Sequence, residues 1–132
     1  MATVNASISI ASDITDSSIG IANSSSLFTA GTTTGLTTMT SVTKVLASTT
    51  QADLITTGSV STTHAFVYIN NPSADHTEFF KITIGAVDGA EVEEIGRLYG
   101  GDFMFFPWDV DDDITVIPSV ATDMTIEFQV FS

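Results

Sequence analysis

A chain of 132 residues is long enough for one domain with its own core, and its lack of cysteine excludes disulfides, thiol catalysis and Cys-ligated metal. Sixteen acidic residues against three basic ones give a formal net charge of −13, which disfavours nucleic acid and anionic membranes as partners. The mean hydropathy is nevertheless positive, +0.33, so acid clusters keep soluble a β-prone chain whose apolar surface is expected to be covered by neighbours.

Met1–Ile21 has no basic segment, and Ser and Asp interrupt its apolar runs, so it does not read as a secretory leader. No stretch approaches the ~18 apolar residues of a membrane helix. Residues 1–63 hold 28 Ser or Thr, four charged residues and one aromatic, Phe28. Proline is absent there, which argues against a mucin-like stalk, and apolar residues recur at strand spacing, which argues against disorder. Val4, Ala6, Ile8 and Ile10 alternate with Asn5, Ser7 and Ser9, a period of two that predicts a half-buried strand over Thr3–Ala11. Thr is well suited to strands through its branched Cβ, and further strands are expected at Ile19–Phe28, Thr37–Ala47 and Leu54–Val60. Ala30–Gly35 reads as a flexible loop. A helix over Val42–Leu54 would be short and Thr-rich, which disfavours it.

Residues 64–132 hold the remaining aromatics and 13 of the acids, and read as the compact core. Residues 1–63 would then be an arm, or strands that pack on that core within a single domain. His64–Asn70 is a strand, Asn71–His76 a turn around Pro72, and Thr77–Ile84 the return strand of a hairpin. Asp88–Gly89 and Gly100–Gly101 mark turns on either side of a strand over Glu91–Tyr99. Asp102–Trp108 is a strand stopped by Pro107 and the acids that follow, and Ile114–Ile117 a short strand ending at Pro118. Met124–Phe131 closes the chain with Met124, Ile126, Phe128 and Val130 on one face. Short strands with turns every eight to twelve residues predict an all-β, antiparallel sandwich of jelly-roll type.

Two strands are apolar on both faces: His64–Asn70, with Phe66 and Tyr68 opposite Ala65, Val67 and Ile69, and the FMFFPW run Phe103–Trp108. A lone antiparallel sandwich normally wets one face of each sheet. Either the N-terminal half folded back or a symmetry mate is therefore expected to cover the second face, and Phe66, Tyr68, Phe103, Phe105, Phe106, Trp108 and Arg97 are the interface candidates. A homo-oligomer is expected, with a trimer favoured.

Signals for chemistry are weak. In extended geometry Asp109, Asp111 and Asp113 would share one side and could attract a hard cation such as calcium. The run lacks an EF-hand's glycine at the sixth position and its glutamate at the twelfth, where Val120 stands, so a solvated acidic turn is the simpler reading. His64 and His76 flank the first turn, without the spacing of a metal site. Glu93 and Glu94 are strand neighbours that point to opposite faces and do not converge without a bulge, while Glu91 and Glu93 share a face that reads as an exposed strand surface. Tyr68, Tyr99 and Trp108 would suit a sugar platform, but ordinary core and interface packing is the simpler reading. No serine lies in a nucleophile elbow and no glycine-rich phosphate loop is present, so no catalytic residue and no cofactor is assigned.

The run Ile95-Gly96-Arg97-Leu98-Tyr99-Gly100-Gly101-Asp102-Phe103-Met104-Phe105-Phe106-Pro107-Trp108, taken with Phe66–Asn71 and Met124–Phe131, resembles small virion proteins of tailed phages, especially cyanophages. The resemblance covers about half the chain. It implies a non-enzymatic capsid decoration (cement) protein, assembled in the host cytoplasm, that clamps the major capsid protein or other virion proteins through oligomeric contacts. The alternative is a tail-fibre or receptor-binding module that recognises host glycans; a small glycan hydrolase ranks last.

Overall fold

The computed structural model describes residues 3–12 and 19–132, so Asp13 and Asp16 lie outside the described residues. Two compact units divide the chain at Thr37/Thr38. In the first, β1 (Val4–Ser12) and β2 (Ile19–Leu27) form an antiparallel two-stranded ribbon in unbroken register, with Ile10 opposite Ile21 and Val4 opposite Leu27. The predicted alternation places Val4, Ala6, Ile8 and Ile10 on one face of this ribbon. Phe28 bridges Gly35, and Thr29 and Thr32 close the intervening segment by backbone hydrogen bonds, so the expected flexible loop is a hydrogen-bonded turn.

The second unit holds eight strands: β3 (Met39–Leu46), β4 (Ala52–Ile55), β5 (Ala65–Asn70), β6 (Phe79–Ile84), β7 (Glu93–Tyr99), β8 (Phe103–Trp108), β9 (Ile114–Pro118) and β10 (Met124–Phe131). They make two four-stranded antiparallel sheets, a front sheet in the order β3-β10-β5-β8 and a back sheet in the order β4-β9-β6-β7. Successive strands alternate between the sheets except at the β6–β7 hairpin, and this order is that of a jelly roll. β3 and β4, on the Ser/Thr-rich side of the composition step, are integral strands of the two sheets.

The alternation in β10 and β5 puts Met124, Ile126, Phe128, Val130, Ala65, Val67 and Ile69 inside, where they meet Phe80, Ile82, Leu98, Ile114 and Val116 of the back sheet. Each fully buried aliphatic or aromatic side chain of this layer contributes roughly 1.5–3 kcal/mol. Trp108 is also inside, and its indole donates from Nε1 to the Asp112 carbonyl at 3.0 Å, which satisfies the buried N–H.

Two local expectations change. β5 and β6 are not a hairpin: the Asn71–His76 turn carries the chain from the front sheet to the back sheet. The predicted strand Leu54–Val60 moves forward to Ala52–Ile55, and residues Thr57–Ser59 form a 3₁₀ turn instead. The expected strand Asp102–Trp108 is found as β8 and ends at Trp108, before the acids. It accommodates Pro107 because it is an edge strand, and Phe66–Pro107 is a pair whose missing N–H points away from the sheet.

Candidate functional site

Register assembles what single strands only suggest. On the outward face of the front sheet Met39, Phe131, Phe66 and Pro107 stand in one row across all four strands. The next row is Ser41, Gln129, Tyr68 and Phe105, and the one after it Thr43, Glu127, Asn70 and Phe103. Phe66 stacks on Phe105 with centroids 6.0 Å apart and planes 7° from parallel. Tyr68 lies 6.0 Å from Phe103, and His64 meets the Phe66 ring edge-on at 5.1 Å. Phe103 is 58% exposed, Phe105 41%, Met39 62% and Val45 57%. Met39 and Val45 stand on one edge strand of the sheet and Phe103 and Phe105 on the other, and the Met39–Phe131–Phe66–Pro107 row joins the two edges. The only carboxylate on the face is Glu127, and it accepts a hydrogen bond from the Asn70 amide at 3.1 Å.

The interface candidates therefore separate. Phe66, Tyr68, Phe103 and Phe105 share this face. Phe106 and Trp108 alternate inward and pack in the core. Arg97 belongs to the back sheet, where its guanidinium lies 5.1 Å from the Phe79 ring centroid and donates to Glu94 at 2.8 Å. Met39, Val45 and Phe131 complete the face but were not among the candidates. The alternation of Met124–Phe131 signals Phe131, whereas nothing in the Thr-rich run around Met39 does.

On the back sheet a register shift between Ile82 and Thr83 re-phases β7, so Glu94 turns toward both Lys81 (3.4 Å) and Arg97. The Arg97 hydrogen bond, then its charge and Lys81, hold the Glu94 carboxyl below the usual carboxylate range, and Glu94 in turn raises Arg97. The third cation, Lys44, donates to the Asp53 carbonyl.

The acidic run does not adopt the extended geometry that would align its carboxylates. Val110 takes φ +62°, Asp109 accepts from the Asp111 N–H, and Asp113 Oδ1 accepts the Thr57 N–H at 2.7 Å. Among the described residues no three His, Cys, Asp or Glu side chains are grouped to hold a metal ion. His64 and His76 stand at opposite ends of β5; His76 Nδ1 pairs with the Gly100 carbonyl at 2.6 Å. Tyr68, Tyr99 and Trp108 are dispersed over the front face, the back sheet and the core, so they form no common platform.

A side cleft of about 240 Å³ opens between the sheets where the edge strands β3 and β4 diverge, and Val42, Leu54, Val60, Phe128 and Val130 line it together with Lys44. At one end of the sandwich the Asn71 turn is locked to the Gly100 turn. Asn71 is fully buried; its Nδ2 donates to the Leu98 carbonyl at 3.0 Å, and its Oδ1 accepts from the Ser73 N–H at 3.2 Å. No family model matches the chain, and no curated protein or solved structure matches it either.

Proposed function

We propose that this chain is a virion structural protein of a tailed phage, a decoration or cement protein that docks through the front face of its jelly roll onto the major capsid protein or another virion protein. One observation carries the reading: an uninterrupted apolar row, Met39–Phe131–Phe66–Pro107, crosses all four strands and is flanked by exposed Phe103 and Phe105. Rigid aromatic anchors on a charge-poor centre are the composition of a protein interface. The jelly roll supports it at the level of fold only, since this architecture serves viral shells and lectins alike. The resemblance of the Ile95–Trp108 run to phage virion proteins supplies the virion context. The protein then acts by multivalent attachment and not by turnover. Quantitative mass spectrometry of purified virions tests it: copies in the hundreds are expected, and absence from the particle overturns it.

The alternative, a glycan-binding tail module, is favoured by one feature. The half-buried ring of Tyr68 and the exposed rings of Phe103 and Phe105 lie beside the polar groups of Gln129, Asn70 and Glu127, a combination that suits a sugar's apolar face and its hydroxyls. Hits on a host-glycan array with only a few copies per particle would select this reading instead.

A further inference from the structure

A sandwich of two open sheets has four edge strands, and three of these four are protected against strand addition. β4 is four residues long and has a register shift between Asp53 and Ile55. β7 carries Glu93, Glu94 and Arg97 and a shift of its own. β8 contains Pro107 and runs into the acids Asp109–Asp113. Short edges, bulges, charge and proline are the devices that block edge-to-edge pairing. β3 carries only one of them, a single lysine. It pairs over eight residues with β10 without a shift, contains no proline, and has Lys44 as its sole charge, which is turned inward to the Asp53 carbonyl. From Ser17 to Ala52 no other charged residue occurs, so two copies of a protein at −13 can approach along this edge without acid meeting acid.

We infer that β3 pairs antiparallel with β3 of a second copy across a two-fold axis at Val42. Thr38 exchanges both backbone bonds with Ser132, so the even residues of β3 face β10, while Met39, Ser41, Thr43 and Val45 direct N–H and C=O to the open edge. Centring on Val42 sets Met39 opposite Val45 of the second copy and Ser41 opposite its Thr43. Those hydrogen-bonded pairs would form about eight backbone bonds. This register brings together two of the most exposed large apolar residues, 62% and 57% exposed. It also sets the second copy's Val42 beside the mouth of the apolar side cleft. The two front sheets become one eight-stranded sheet, and the apolar rows of both copies form one surface. An isologous contact closes with two copies, so the dimer replaces the trimer expected from the sequence as the basic unit. The pairing rests on the β3 edge alone and is independent of the virion assignment.

The test uses the full chain. Analytical ultracentrifugation over a concentration series is expected to give twice the 13.9 kDa chain mass. Val42→Cys introduces the sole thiol at a non-hydrogen-bonded pair, where Cα atoms of facing residues lie about 4.5 Å apart, within disulfide reach. Mild oxidation is expected to yield a covalent dimer from Val42→Cys, and little from Ser41→Cys or Thr43→Cys, whose thiols sit on the diagonal. Thr43→Pro removes an N–H that faces only the open edge and is expected to weaken the dimer roughly a hundredfold, with Trp108 fluorescence reporting that the sandwich is intact. A monomer at all concentrations overturns the pairing. So does a trimer, equal cross-linking at all three positions, or a folded Thr43→Pro variant that dimerises as tightly as the parent.

Discussion

Asn71→Ala is expected to destabilise the sandwich by about 2–4 kcal/mol although the residue touches no proposed binding face. Asn71 is fully buried and its amide supplies the side-chain donor to the Leu98 carbonyl, itself in a 4% exposed residue. Removing the amide leaves that buried carbonyl without this donor, at about 1–3 kcal/mol, and the Ser73 N–H loses a second bond worth about 0.5–1.5 kcal/mol. Asn71→Asp separates the hydrogen-bond contribution from packing, because the side chain keeps its volume and its Oδ1 acceptor. An ionised carboxylate at this position faces the Leu98 carbonyl acceptor to acceptor in a buried site, so the folded state holds its proton to a higher pH than the unfolded chain. Below the unfolded value of about 3.9 both states carry the proton, and a protonated carboxyl can donate to Leu98 as the amide does. As pH rises above about 3.9 the unfolded chain releases its proton first, and the variant loses stability relative to the parent. Urea unfolding followed by the fluorescence of Trp108, the single tryptophan and a buried one, reads both variants. A cost below about 1 kcal/mol for Asn71→Ala, or an Asn71→Asp deficit that does not shrink on acidification, would refute the reasoning.

Phe103→Ser combined with Phe105→Ser, both on the exposed face, should leave the urea midpoint nearly unchanged while abolishing incorporation into particles; coupled loss of folding would show that these rings belong to the core. Gly100→Ala should unfold the protein or cost more than about 3 kcal/mol, since its Cβ would lie 2.3 Å from the Asp75 carbonyl oxygen, whereas Gly58→Ala meets nothing within 4 Å and should be tolerated in the same thermal scan. Glu94→Gln should narrow the pH dependence of stability. The parent's carboxyl, lowered chiefly by Arg97, stabilises above its unfolded pKa and loses that effect as pH falls through its folded value, so the difference between parent and variant should vanish in acid; a difference that persists there would place the origin outside the ion pair.

Local pattern was enough for most strands, because a period of two reports directly on a half-buried pleat. β10 and β5 were legible to the residue or nearly so, and their inward sets match the observed core. Partnering was not. The Asn71–His76 segment has good hairpin-turn chemistry, but turn residues specify how the chain reverses and not which sheet it rejoins, and here it crosses between layers. The strand Asp102–Trp108 was legible with Pro107 inside it, but its place at the sheet edge, where proline is accepted, was not, because edge position is a property of the whole sheet. Glu94 was seen as one of several strand acids; the register shift that directs it to Lys81 and Arg97 has no local signature. Asn71 read as a turn former, and its tertiary role appears only once the Gly100 turn packs beside it.

The apolar outward face is easier to understand beside the charge. In the four front-sheet strands the only acid is Glu127, and Asn70 holds it. The remaining described carboxylates lie on the back sheet and in the connections, as in Glu93, Glu94 and the Asp109–Asp113 run. A protein at −13 repels its own copies through most orientations, and that repulsion is weakest where the front face or the β3 edge is presented. In the proposed docking role acid would do two things at once. It would oppose random contact between apolar sheets, and it would leave the proposed approach the least opposed one. Added salt screens exposed charges over about 10 Å at 0.1 M, so it would relieve other encounters more than the proposed contact, whose central row is apolar. Specificity in that proposal depends on where charge is missing as much as on where the aromatic rings stand.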